Sequence, residues 1–295
     1  MMNGFLNLYK PKGISSAKLL NSIKRAVNGA AIGHMGTLDP LASGVLPVGI
    51  GKSTRLFDYL LDKDKVYEAV FAFGYETNTL DLEGEVVKRT DKVPTEEEIK
   101  EKLQELVGDI LQTPPAYSAK CVNGKRSYQL ARNGVGVTLT PKRVTVISIE
   151  YIGKRADDEY KFRIVCKGGT YIRSIARDLA ALCGTVATMT DLVRTASGVF
   201  NIEDSVTVEE FLASENPSGY IVAPDSAFSL PAVYISDDEA NRLFNGLYDR
   251  FSFPNGLCNI YSPNGFYGVG EVRDGIMRVR AYIEDEGYRL QQKKQ

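Results

Sequence analysis

The chain has 295 residues, 43% hydrophobic and 25% charged, which suits one large domain or one domain with a small appendage and excludes a disulfide miniprotein or a disordered chain. Four cysteines, Cys121, Cys166, Cys183 and Cys258, lie 45, 17 and 75 residues apart with no C-x-x-C pair, and there is one histidine, so zinc sites, disulfide frameworks and catalysis by two imidazoles are not expected. The net charge of -1 conceals an asymmetry: residues 115–175 carry twelve Lys/Arg against four Asp/Glu, whereas residues 201–260 carry two against ten.

No stretch approaches the roughly 18 apolar residues of a membrane span, and the N-terminus lacks the apolar core of a signal peptide, so a soluble, cytosolic protein is expected. The first helix starts at a Ser15 or Ser16 cap, buries Leu19, Leu20, Ile23 and Val27, and ends at Gly29. A Gly-rich stretch without periodicity follows from Gly33 to Gly51. Residues 66–75 are apolar on both faces and read as a central strand that Tyr67 begins. Thr95 and Glu98 form a capping box ahead of Ile99, Leu103, Leu106 and Val107, which predicts a helix.

Residues 114–143 are rich in turn formers, tyrosines and cations, the pattern of an exposed insertion. Strands are predicted at 144–152 and 160–167, and a helix through Ile172, Ile175, Ala176 and Leu179 with Thr170 as its cap. From residue 229 onward, short strands broken by Pro254-Asn255-Gly256, Pro263-Asn264-Gly265 and Asp274-Gly275 predict a small β-rich domain.

Three features carry chemical interest. Gly51-Lys52-Ser53 ends like a phosphate-binding loop, but Leu46 stands where that motif needs its first glycine, so nucleotide binding is not expected. Asp39 precedes Pro40 in a run with glycines at 33, 36 and 44, which holds it in an extended pose; ordinary turn chemistry explains the same pattern. Arg173 lies in the first turn of its helix, where the macrodipole disfavours a cation by about 0.3–1 kcal/mol. Either a buried carboxylate holds it there or its stem carries the charge out to water.

The segments Lys10-Pro11-Lys12-Gly13, Gly33 to Leu46 (GHMGTLDPLASGVL), Lys65-Val66-Tyr67, Pro114 to Ala119 (PPAYSA) and Gly169 to Ser174 (GTYIRS) together resemble the bacterial tRNA pseudouridine-55 synthases of the TruB type. They occur in that family's order and spacing, over about residues 3–200. Residues 265–272 are similar, more weakly, to its PUA-like C-terminal RNA-binding domain. The resemblance implies an α+β fold: a mixed, largely antiparallel central sheet flanked by helices over residues 1–228, with a PUA-like domain at 229–295.

It also implies a cofactor-free isomerase, a monomer with no membrane or nucleotide partner, that converts a uridine in the T-loop of tRNA to pseudouridine. On that basis Asp39 matches the catalytic aspartate and Arg173 its paired arginine. Tyr67 matches the tyrosine that stacks on the target base, although its spacing alone reads as a core aromatic. His34 matches the histidine that enters the T-loop as the nucleotide flips. Leu192 matches an apolar residue near the target base, with core packing an equal reading. Lys120, Lys125, Arg126, Arg132, Lys142 and Arg143 fall in the insertion that clamps the T-arm. Met35 and Ala17 depart from the usual pattern, and the acidic segment 201–260 sits poorly with RNA binding by the C-terminal domain. The alternative from another functional class is a tRNA-binding chaperone with catalysis secondary or lost.

Overall fold

The structure is a computed structural model describing residues 3–60, 63–118, 139–247 and 249–283, with 121–122 and 125–126 described by their backbone. Nineteen strands and five α-helices are named in chain order among the described residues. The strands are β1 (Gly4–Lys10), β2 (Ile32–His34), β3 (Ser43–Ile50), β4 (Lys65–Phe73), β5 (Tyr75–Thr77), β6 (Val86–Arg89), β7 (Gly108–Gln112), β8 (Cys121–Val122), β9 (Lys125–Arg126), β10 (Lys142–Lys154), β11 (Glu159–Cys166), β12 (Ala187–Ser197), β13 (Phe200–Asn201), β14 (Ile221–Val222), β15 (Ala232–Tyr234), β16 (Asp249–Arg250), β17 (Gly256–Ser262), β18 (Gly265–Arg273) and β19 (Ile276–Tyr282). The helices are α1 (Ser16–Ile23), α2 (Glu96–Leu103), α3 (Ile172–Leu182), α4 (Val208–Ala213) and α5 (Asp237–Phe244).

A ten-stranded sheet runs in the order β14-β1-β3-β12-β4-β11-β10-β7, with β2 on β3 and β13 on β12. Every pairing in it is antiparallel except β3 with β12, which run parallel at Val193↔Ser43 and Arg194↔Gly44. The expected α+β fold with a mixed, largely antiparallel sheet is therefore present. One apolar cluster joins Leu6 and Leu8 of β1, Leu46 and Val48 of β3, Phe71 and Phe73 of β4, and Phe162 and Ile164 of β11 to the apolar face of α3. Each such side chain, fully buried, stabilises the fold by about 1.5–3 kcal/mol.

The two early helices follow their capping chemistry. The Ser15 side chain accepts from Lys18 N, and Thr95 and Glu98 close a reciprocal box. Helix α1 stops at Ile23, and 24–29 tighten into successive turns (Ala26 N to Ile23 O, Asn28 N to Arg25 O) that end through Asn28 (φ 53°) and the predicted Gly29 (φ 70°). Two expectations fail. Residues 33–51 are irregular only over 35–42, since β3 fills 43–50 and is buried throughout: Leu46, Val48 and Ile50 enter the main cluster, whereas Val45 enters a second one. Its glycines and Pro47 disguise a strand that is apolar on both faces. Thr170 does not cap α3 either. Its hydroxyl donates to Lys167 O, and the cap position belongs to Tyr171, whose backbone N–H and C=O both bond the Gln112 side-chain amide.

Gly51 begins a 3-10 helix (Gly51–Tyr59) and donates to Ala31 O, so this backbone closes on the protein and forms no phosphate cradle. Strands β15 to β19 build a separate five-stranded sheet in the order β15-β17-β18-β19-β16, with its own core of Ile260, Tyr267, Val272 and Met277 under α5. The second cluster joins the two sheets: Phe5, Met35, Val45 and Leu56 pack with Phe228, Val269, Ala281 and Ile283. No helix among the described residues is long and apolar enough to cross a membrane.

Candidate active site

Asp39 lies on the loop between β2 and β3, and three devices fix that loop. Lys10, fully buried at the end of β1, points its ammonium at three backbone carbonyls: Pro11 (3.0 Å), Pro40 (3.3 Å) and Ala42 (2.6 Å). Burial brings the Lys10 amine down to about 8, against the opposing pull of Asp39. The buried Ser16 hydroxyl donates to Leu38 O and accepts from Leu38 N, both at 3.0 Å. Within the loop, Ala42 N donates to Asp39 O at 3.0 Å.

Arg173 reaches this loop from the first turn of α3. Its Nη2 stands 3.0 Å from Asp39 Oδ2, and its Nη1 stands 3.3 Å from Oδ2 of a second carboxylate, Asp81. The same guanidinium donates to Thr79 O (2.9 Å) and Tyr117 O (3.0 Å). Of the two sequence readings of Arg173, the structure shows the carboxylate partner, and two of them, which outweigh the macrodipole. Asp81 is 2% exposed and its Oδ1 accepts from the Thr79 hydroxyl (2.6 Å) and Glu83 N (3.0 Å). The Asp39 side chain keeps 35% of its exposure. Burial pushes its carboxyl above the usual carboxylate range, Arg173 pulls it down, and Asp81 pushes it up again.

A cavity of about 260 Å³ opens beside Asp39, lined by Gly36, Lys65, Tyr67, Ser118, Arg173, Leu192 and Arg194 among others. Tyr67 comes from β4 and is 7% exposed; burial drives its phenol upward, against the Arg194 charge and a hydrogen bond from that guanidinium. Leu192 belongs to the main core cluster and also lines the cavity. Four residues selected from the sequence therefore meet at one cavity: Asp39, Tyr67, Arg173 and Leu192.

His34 does not join them. It lines a neighbouring open cleft with Ala17, Leu20, Asn21 and Lys24, and its Nδ1 is buried without a hydrogen-bond partner. Burial, and then the Arg194 charge, lower its pKa and favour the neutral ring. Lys142 and Arg143 are exposed at the start of β10, and Arg143 approaches Asp109 at 3.9 Å. Lys120 and Arg132 lie outside the described residues, as do the side chains of Lys125 and Arg126.

Sequence reasoning passed over three residues. Asp81 gave no signal in the sequence; in the structure it follows Leu80, whose backbone takes φ 63°. Lys10 stood inside a recognised motif without a role. Arg194 gave no signal, because an arginine on an alternating strand reads as solvent-facing.

Residues 24–172 match the model of the TruB family pseudouridylate synthase N-terminal domain, and residues 173–218 match the tRNA pseudouridylate synthase B C-terminal domain. The chain is 37% identical over 281 residues to tRNA pseudouridine synthase B of Aquifex aeolicus, covering 94% of this chain and 98% of that one. With the enzyme of the same name from Clostridium novyi it shares 40% over 278 residues, covering 91% and 95%.

Among solved structures, an H/ACA ribonucleoprotein bound to a substrate RNA containing 2'-deoxyuridine superposes with a TM-score of 0.72 at 23% identity, covering 97% of this chain and 86% of that one. A Cbf5-Nop10-Gar1 complex gives 0.69 at 26%, covering 96% and 84%. End-to-end similarity of this extent, in sequence and in fold, makes the chain a member of the TruB family of pseudouridylate synthases.

Proposed function

We propose that this protein isomerises a uridine in the T-loop of tRNA, at position 55, to pseudouridine, with Asp39 as the catalytic carboxylate. Family membership and the bacterial tRNA pseudouridine synthase B relatives support pseudouridine formation in tRNA. The observation that carries the assignment of Asp39 is its position at the mouth of a cavity on the scale of one nucleoside, with its charge held by Arg173. A base inside a folded RNA loop reaches such a cavity by flipping out of the stack, at a cost of a few kcal/mol.

The reaction breaks the bond from C1′ to N1 and forms a bond from C1′ to C5. N1 gains a proton and C5 loses one, so no water is consumed. A carboxylate serves by adding to the base or by supporting C1′ as the base detaches and turns. Arg173 favours the ionised form of Asp39 against burial and Asp81, which either role needs. Tyr67 and Leu192 would grip the uracil ring, and the Tyr67 oxygen is placed to help remove the C5 proton. His34, in the adjacent cleft, would occupy the gap left in the T-loop.

The cations of the 114–143 insertion, Lys120, Lys125, Arg126, Arg132, Lys142 and Arg143, would meet phosphates, which position RNA without reading its sequence. We assign the working form as a monomer and residues 229–295 as a separate C-terminal domain. The test is release of tritium from C5 of labelled uridine in a T-arm transcript, without added metal or nucleotide. Wild-type protein should release it, whereas Asp39→Asn should not while binding RNA within about tenfold, about 1.4 kcal/mol. Release by Asp39→Asn would refute the role of the aspartate; tight binding without release by wild type would favour an RNA chaperone.

A further inference from the structure

Arg194 is the largest of the fully buried side chains, at 1% exposure, and it takes part in none of the described ion pairs. Its donors go elsewhere. Nε donates to Val45 O at 2.7 Å and Nη2 to Gly36 O at 3.1 Å. Those two carbonyls flank the segment that carries Asp39. Tyr67 lies across from Arg194 on the neighbouring strand, where the two are register partners, and both side chains line the cavity beside Asp39. On its other side Arg194 pairs with Gly44 of β3, where a Cβ would come within 2.2 Å of Arg194 O, so a glycine there permits the close approach.

The chemistry of the pair sets a direction. A guanidinium only donates, so where it meets the phenol the oxygen accepts and the phenol's own proton points away. Tyr67 lines the cavity beside Asp39 and Leu192, so the proton and the remaining lone pair are left to face that space. We propose that Arg194 is a positioning residue for the isomerisation, aiming the Tyr67 hydroxyl into the cavity and locking it to the loop that carries Asp39. This rests on the reading of Asp39 and Tyr67 given above.

The charges facing Tyr67 are Arg194 from β12 and Asp39 from its loop, with the Cys166 thiol from β11; only Arg194 opposes the upward push of burial on the phenol. A methionine would fill the same space without a buried charge, yet could neither hold the two carbonyls nor orient the hydroxyl.

The experiment is a double-mutant cycle in the tritium-release assay with a T-arm transcript, using Arg194→Met, Tyr67→Phe and both together, with melting temperature and RNA affinity measured on each. Arg194→Met should lower kcat by at least about tenfold while KM stays within about threefold, and in the Tyr67→Phe background it should cost less than about threefold more. Equal losses in both backgrounds, or an unchanged kcat, would overturn the proposal. Full activity of Tyr67→Phe alone would remove the reading of Tyr67 and the proposal with it, and is seen separately in that single variant. Should Arg194→Met fail to fold, Arg194→Lys, which keeps the cation but not the three-way reach, runs the same cycle with the same expected coupling.

Discussion

Arg173 is the only bridge described between Asp39 and Asp81, and replacing it with methionine tests the electrostatic account directly. At 3.0 and 3.3 Å and an effective dielectric of 20, the two ion pairs are each worth up to about 5–5.5 kcal/mol before desolvation. Removing the cation strands Asp81, 2% exposed, and a buried charge left without its partner typically costs about 3–5 kcal/mol. For a chain of this size that is a fall of roughly 6–20 °C in Tm.

The pH dependence follows from the direction of the shifts. A carboxyl whose folded pKa stands above its unfolded value binds protons more tightly when folded, so stability rises as pH falls through that folded pKa. Burial and Asp81 already push Asp39 upward, and Arg173 is the main opposing influence. The gap in Tm between Arg173→Met and wild type should therefore be widest at neutral and alkaline pH and narrow toward pH 4–5. Activity should move in parallel, with the acid limb of kcat displaced to higher pH and kcat at neutral pH reduced by at least about 100-fold. Differential scanning calorimetry across pH 4–8, paired with tritium release, reads both. A Tm gap independent of pH, or an unmoved acid limb, would refute the view that Arg173 acts by favouring the ionised form of Asp39.

Lys10 has its amine lowered to about 8 against 10.5 in the unfolded chain, so the unfolded state binds more protons between those values and stability should rise with pH there; Lys10→Met should abolish that rise in urea titrations at pH 8 and 10. Gly44→Ala puts a Cβ 2.2 Å from Arg194 O at φ 102° and should cost roughly 2–5 kcal/mol in a denaturant titration. Charge reversal at Lys125 and Arg126 should weaken T-arm binding and flatten its salt dependence, each lost phosphate contact reducing the slope of log K against log salt by about one. An unchanged slope would take this insertion out of the RNA interface.

Much of this architecture was legible where local chemistry and tertiary role agree. The Thr95/Glu98 box starts a helix, and the alternation of β11 buries Tyr160, Phe162, Ile164 and Cys166 as its pattern predicts. Legibility failed where long-range contacts override local signals. β3 reads as loop because Gly44, Pro47 and Gly49 break its pattern, yet neighbours on both edges and both faces make it a strand. α3 begins without a side-chain cap, and its cap residue Tyr171 is held instead by Gln112, 59 residues away.

The site shows the same division. Asp39 and Arg173 were visible as local oddities, a carboxylate before proline and a cation at the wrong helix end. Asp81 and Arg194 were not, since a buried charge is recognisable only once its surroundings are assembled.

The apolar cluster shared by the two sheets bears on what the C-terminal sheet is for. Met35 stands in that cluster at 3% exposure, with Val269, Ala281 and Ile283 among its members, one residue before Gly36 and four before Asp39. Chain removed near residue 229 would turn Phe5, Met35, Val45 and Leu56 toward water and loosen the strand that feeds the Asp39 loop. The C-terminal sheet thus has a task that needs no RNA: it is a doorstop for the loop that carries Asp39, and a shortened protein should lose turnover through slackness at Met35 before it loses its grip on a T-arm.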